Sequence, residues 1–510
     1  MRTDPRTLHG KTFDLLVVGA GIQGAAIARE AALRGLDVLL VDARDIAAGT
    51  SSRSSRLVHG GLRYLRQGHL TLVREALAER ERLLRAAPHL VRPLPMLMPS
   101  FRGTRPAPWL LWGATWLYSA LAGRTTLPRP RRLGSRAAAA AFPGLRTNGL
   151  RSATLYFDAA TQDSRLTLAN VLAARAAGAA VATHCAVVGV QTDGILLLDQ
   201  LRRHEATVRA RHIVNAAGPG VDAVRQRLAV AAEPLVRTSR GSHLVLPARS
   251  GEVALACFLP DQRIQFVIPH PDGTLCGTTE VEEAWRGSES GPPAEDLEYL
   301  RAALAFLLEA PPSAAEVRFA YAGWRALPRR RGPPGALHRE AFTVPEPVAC
   351  GTLHSVVGGK LTTHRSFAER TVGAIFGFRD ASSTRWLSLP GGDGPREVTD
   401  PLWWRHGSRV RLLRDLLRED PAWAAPLCPH RPFLAGELVL ALRHDGAVTF
   451  ADAMLRRLVH SQGPCQQQAC LRAAHSLFLR TRSEPVDDDA DAACRALQQE
   501  VAHLTGGVGI

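Results

Sequence analysis

The most constraining feature of this chain is a strand–turn–helix–strand pattern in its first residues. Phe13–Val18 (FDLLVV) is a β-rich apolar run, and Gly19-Ala20-Gly21-Ile22-Gln23-Gly24 follows at once. An alanine-rich helical pattern runs from Ile22 to Leu33, Arg34-Gly35-Leu36 breaks it, and Asp37–Val41 reads as a second strand ending at Asp42. A lone GxGxxG would say little. Between a strand and a helix, with an acidic residue closing the next strand, it predicts a dinucleotide site. Gly19, Gly21 and Gly24 allow the tight turn and let a pyrophosphate approach the helix N-terminus, while Asp42 is placed for ribose hydroxyls. The hydroxyl-rich stretch Thr50-Ser51-Ser52-Arg53-Ser54-Ser55 and the pair Gly60-Gly61 then suit a second phosphate contact and a flat ring against bare backbone.

A chain of 510 residues is too long for one core, and two or three domains are expected. Its net charge of +16 invites a nucleic-acid reading. The basic residues are spread out, however, and no zinc-finger, RNP or basic-zipper pattern occurs. Attraction to an anionic membrane or a phosphorylated substrate ranks higher, and no nucleic acid is expected. Only two of the 63 basic residues are lysines, Lys11 and Lys360. Lys360 falls in the glycine-rich VVGGKLTT, where a compact ammonium is needed rather than a guanidinium. The eight cysteines read as scattered, with no C-x-x-C pair, so the spacing predicts no metal site. With a polar N-terminus, reduced thiols and a cytoplasmic setting are expected.

The run DLLVVGAGIQGAAIAREAALRGLDVLLVDARDIAAGTSSRSSRLVHGGLRYL resembles the flavin-linked, quinone-reducing glycerol-3-phosphate dehydrogenases. The resemblance continues in YFDAATQDSRLTLAN, IVNAAGPGVD, RGSHLVLP, VIPHPDGTLCGTTEVE, YAGWRAL, VVGGKLTTHR and LPGG, and less specifically in GELVLALRHDGAVTFADAMLRRL. It implies an α/β fold: a Rossmann-type FAD domain of the D-amino-acid-oxidase kind, an antiparallel-sheet substrate domain and a C-terminal helical domain. The FAD domain would be stitched from 11–90, 151–235 and 331–390, the substrate domain from 91–150 and 236–330, and the helical domain from 395–510. The implied activity is oxidation of sn-glycerol 3-phosphate to dihydroxyacetone phosphate, with hydride passing to the flavin N5 and electrons on to a quinone. FAD contacts implied are Gly19, Gly21, Gly24, Asp42, Thr50, Ser51, Ser52, Ser55, Gly60, Gly61, Val187, Gly218, Gly358, Gly359, Lys360 and Thr362. By the same match Arg63 and Tyr64 stand beside flavin and substrate, and Arg325 and Arg339 clamp the phosphate. His243 is the general base, and Lys360 faces the ring's O2/N1 edge.

Three departures lie in matched motifs. Gly220 stands where the family has tryptophan, Glu280 where it has aspartate, and His364 where it has tyrosine. An oxidase passing electrons to oxygen, a paralogue for another 2-hydroxy acid or phosphate ester, and a non-catalytic flavoprotein are the competing readings. The uncharged stretch 106–123 (PAPWLLWGATWLYSALAG) carries Trp109, Trp112, Trp116 and Ala120 on one helical face, with arginines after it. It is too short and interrupted to span a bilayer. An interfacial segment on the inner face of the cytoplasmic membrane and a buried helix are equally compatible with it. A homodimer is also left open.

Overall fold

The computed structural model describes residues 2–66, 68–249, 251–287, 290–330, 340–459, 465, 467–482 and 490–506. Thr12–Val18 lies in the middle of the first sheet, parallel to His204–Asn215 on one side and Val38–Val41 on the other. Leu15, Leu16 and Val17 have no exposed surface, as a strand covered on both faces requires. The sheet continues through Gly351–Val357 and Phe342–Val348 at one edge and Ala180–Ala182 at the other. Helix Ile22–Leu33 packs on it with Asp163–Ala176 and His364–Phe376, through Ala25, Ile27, Leu168, Val171, Phe367 and Val372. Small alanines on the first helix permit this close approach.

The second sheet is antiparallel save for one parallel contact between Ala254–Phe258 and Val91–Phe101. Its longest pairings are Val91–Phe101 with Leu150–Thr161, and Val236–Leu246 with Phe319–Pro328. The second pairing sets His243 opposite Tyr321 and Ser239 opposite Arg325. Helix Ser135–Ala141 covers the polyalanine run, where helical propensity is highest.

Past the Leu389–Asp400 stretch the chain is mainly helical: Val410–Glu419, Ala435–Arg443, Gln468–Thr481 and Ala490–Thr505, with a hairpin of Pro426–Cys428 and Arg431–Leu434. Val410, Leu413 and Leu416 are its buried stripe at helical spacing. Buried ion pairs tie this unit to the first sheet. Arg456 and Arg457 both grip Asp45, at 2.6 and 2.7 Å. The reading of the cysteines as scattered is corrected here. Cys428, Cys465 and Cys470 meet in the C-terminal unit beside His430. Spacing along the chain hid this, because a hairpin turn and a helix start bring them together.

Candidate active site

The turn after Thr12–Val18 is built around bare backbone. Gly19 has φ +104°, and a Cβ there would come within 2.7 Å of the Ala216 carbonyl oxygen. A Cβ on Gly24 would stand 1.9 Å from the Gly19 carbonyl oxygen, so helix and turn could not close. Gly21 caps Ile22–Leu33 without a side chain, leaving the helix's positive end on the cavity. Asp42 accepts from Ala20 N at 2.7 Å and Arg44 N at 2.8 Å. Burial pushes its pKa up against the pull of those two donors.

A cavity of about 1140 Å³ begins here and runs between the two sheets. Gly19, Gly21, Asp42, Thr50, Ser51, Val187 and Gly218 line its near end. Gly60, Gly61, Tyr64, Gly358, Gly359, Lys360 and Thr362 lie further along, with His243 and Arg325 on the wall supplied by the second sheet. The volume exceeds that of a drug-sized pocket and suits a dinucleotide with room for a small substrate. Gly60 could carry no Cβ, since Leu77 and Tyr118 would stand under 3 Å away. Its N–H donates to the Tyr118 hydroxyl at 2.7 Å, which itself donates to Asp158. Lys360 holds its ammonium 3.7 Å from the centre of the Tyr64 ring. Thr362 accepts from the His59 N–H at 3.1 Å.

The hydroxyl stretch divides by role. Thr50 donates to the Trp324 carbonyl, and Ser51 accepts from Ile22 N at 2.9 Å, bracing the helix start. Ser52 is buried, donates to the Gly49 carbonyl and does not line the cavity. Ser55, expected on the cofactor, lines the cavity and pairs with His243 Nε2 at 2.8 Å.

His243 is buried and stacks on Tyr321, ring centres 5.0 Å apart. Burial, then Arg325 and Arg56, push its pKa down to about 3. Desolvation and two guanidiniums keep the imidazole uncharged. Arg325 donates to Thr278 Oγ1 at 3.0 Å and to the Thr279 carbonyl at 3.3 Å. A Cβ on Gly241 would touch its guanidinium, so the glycine makes room for it. Arg63 falls on the short helix Leu62–Arg66, and Arg339 lies outside the described residues.

Sequence reasoning missed Trp285. Its ring lies beside Gly220: a Cβ there would be 3.2 Å from Cη2 and Cζ3. Both residues line the cavity. An indole from another segment thus sits against the Gly-Pro-Gly turn, where the family resemblance implies a tryptophan of the turn itself. Glu280 also lines the cavity. His364 does not; it is fully buried and bonded to the Leu361 carbonyl at 2.6 Å, with its pKa pushed down to about 4 by burial.

A glycine-cradled dinucleotide cavity walled by a second sheet defines a flavin-dependent oxidoreductase. The family model described as FAD dependent oxidoreductase matches residues 14–364. The chain is 32% identical to a glycerol-3-phosphate dehydrogenase of Synechocystis sp., covering 90% of each. It is 36% identical to D-erythritol 1-phosphate dehydrogenase of Brucella abortus, over 75% of this chain and 78% of that one. The structure matches that of the FAD-bound glycerol-3-phosphate dehydrogenase of Bacillus halodurans with TM-score 0.77 and 25% identity, covering 99% and 97% of the chains. The chain belongs to the FAD-dependent glycerol-3-phosphate dehydrogenase family. Its cofactor is FAD.

Proposed function

We propose that the protein oxidises the C2 hydroxyl of sn-glycerol 3-phosphate, giving dihydroxyacetone phosphate, and passes the electrons to a membrane quinone. The observation that carries this is the single cavity joining the Gly19–Gly24 turn to Arg325 and His243. FAD bound there supplies the two-electron acceptor. The cofactor contacts are Gly19, Gly21, Gly24, Asp42, Thr50, Ser51, Gly60, Gly61, Val187, Gly218, Gly358, Gly359, Lys360 and Thr362.

Arg325 is held by Thr278 and Thr279 with its guanidinium on the cavity, and it binds the phosphate. Arg339 is the second clamp, and Arg63 and Tyr64 flank the substrate. His243 Nε2 takes the C2 hydroxyl proton through Ser55, which gives its own proton to the ring as it accepts the substrate's. A free imidazole held near pKa 3 is a weak base. A phosphate dianion beside Arg325 offsets the guanidinium's share of that depression, which adds to the larger share from burial, so the base strengthens when substrate is present. Lys360 places a fixed positive charge where the reduced cofactor gains a negative one.

Peripheral contact with the inner membrane face belongs to the same proposal. In helix Pro108–Leu121, Tyr118 reaches the Gly60 amide while Trp109, Leu110, Trp112 and Leu117 are exposed. Exposed Arg124, Arg129, Arg131, Arg132 and Arg136 follow, suited to anionic headgroups. No helix among the described residues is long and apolar enough to cross a membrane.

A second reading, another phosphorylated polyol, is favoured by Gly220 with Trp285 and by the D-erythritol 1-phosphate relative. Turnover of the two phosphates, measured with a short-chain quinone and with oxygen, tests the assignment. We expect faster quinone reduction with glycerol 3-phosphate and little peroxide. Faster turnover of erythritol phosphate would move the substrate assignment, and stoichiometric peroxide would move the acceptor to oxygen.

A further inference from the structure

The chemistry proposed above leaves the Cys428, His430, Cys465 and Cys470 cluster unused. All four donor atoms, three Sγ and one imidazole nitrogen, lie within 4.8 Å of one another. Cys428 Sγ is 3.9 Å from Cys465 Sγ. The Nδ1 of His430 is 3.5 Å from both Cys465 Sγ and Cys470 Sγ. These three distances match edges of a tetrahedral site, and the remaining three stay within the same 4.8 Å. Zinc bonded to sulfur at about 2.3 Å and nitrogen at about 2.0–2.1 Å implies edges of about 3.8 Å between sulfurs and about 3.5 Å from sulfur to nitrogen.

The alternatives fit less well. A disulfide needs sulfurs about 2.05 Å apart, and all eight cysteines are free thiols. The three thiols form a small buried cluster of their own rather than joining the apolar core. Ordinary packing gives no reason to aim an imidazole nitrogen into it. The local structure is that of a metal knuckle. Cys428 pairs with Arg431 in the hairpin, so the two-residue turn between them brings Cys428 and His430 to one side. Cys470 sits in the first turn of helix Gln468–Thr481, so the helix start presents its sulfur to the hairpin.

We propose that this cluster binds one zinc ion as a closed Cys3His site. Four protein ligands fill the tetrahedron, leaving no open position, so the ion is structural rather than catalytic. It fastens the hairpin to the helix start across more than thirty intervening residues. The hairpin also carries Arg431, which pairs with Asp272 in the turn after His270. His270 contacts Arg56, beside Ser55. The ion therefore holds the C-terminal unit against the sheet that carries the substrate wall.

The test is metal analysis of the purified holoenzyme, prepared with reductant, together with differential alkylation. We expect one zinc per chain, and its loss in Cys428→Ser and Cys470→Ser but not in Cys350→Ser, a thiol far from the cluster in the fold. Should the serine variants fail to fold, the wild-type protein still decides. Cys428, Cys465 and Cys470 should resist alkylation until a chelator removes zinc, then react together. A protein that holds no zinc as purified and takes up neither zinc nor cobalt added to the reduced protein would overturn the proposal. So would alkylation of the three thiols that is indifferent to zinc, or a Cys428–Cys465 disulfide.

Discussion

His243 shows how surroundings set the chemistry of a residue. The same ring in water would titrate near 6.5, but here burial, Arg325 and Arg56 hold it near 3. It is neutral throughout the physiological range, and an anion beside Arg325 would offset only the guanidinium's share of that depression, not the larger share from burial. Trp285 makes a different point. Its contact with Gly220 means that the pair share one space, large enough for one indole. Gly220→Trp should overpack the site by about 1–3 kcal/mol, slowing flavin reduction by roughly tenfold or more. Adding Trp285→Ala should recover most of that rate, read as the single-turnover bleaching rate of the bound flavin. A double variant no faster than Gly220→Trp would show that the two side chains do not share the space. Neither effect was legible in the sequence. The arginines around His243 and the indole beside Gly220 come from distant segments, and only the register of Val236–Leu246 with Phe319–Pro328 brings Arg325 to the same wall as His243.

Elements were legible where local pattern and tertiary role agree. Ile22–Leu33 starts and ends where its glycine cap and helix breaker predict. The apolar, β-branched stretch 180–191 suggests one strand by its pattern but forms two, Ala180–Ala182 and Cys185–Gln191, separated at His184 with φ +51°. Contacts between elements were hidden, above all the buried charges that dock the C-terminal unit. Asp45 is fully buried between Arg456 and Arg457. Asp45→Ala leaves part of both guanidiniums without a partner, and calorimetry or denaturant titration should show a loss of about 3–5 kcal/mol. A loss under 1 kcal/mol would contradict that docking role. Acid should act on the same seam. Against the burial that opposes them, Arg409 and Arg165 hold Asp445 at about 2, and His406 and Arg405 hold Glu437 at about 2. Both folded values lie below the unfolded ones of about 3.9 and 4.3. Their stabilisation is therefore complete above the unfolded values and is lost as pH falls towards 2. The acid limb of the melting-temperature profile should flatten in Asp445→Asn, and an unchanged limb would remove Asp445 from the account. Helix Pro108–Leu121 belongs at this scale too. Replacing Trp109 and Trp112 by serine should abolish cosedimentation with anionic vesicles while sparing flavin content, and retained binding would dismiss the helix as the contact.

The whole molecule is a cavity made by two sheets that the chain builds in alternation. The first sheet supplies the glycine cradle, the second supplies Arg325 and His243, and the C-terminal unit braces both through Asp45 and Asp272. The cradle was readable because its glycines and Asp42 are contiguous or regularly spaced. The wall carrying Arg325 and His243 was readable only through family motifs, since nothing in YAGWRAL by itself says which of many arginines faces the cavity. Anaerobic mixing with glycerol 3-phosphate, followed at the visible flavin band in wild type and Arg325→Ala, tests the joined cavity most directly. The account predicts rapid bleaching in wild type, and in the variant a bound flavin that stays yellow. A wild-type flavin indifferent to the substrate, or a variant reduced at the wild-type rate, would contradict it.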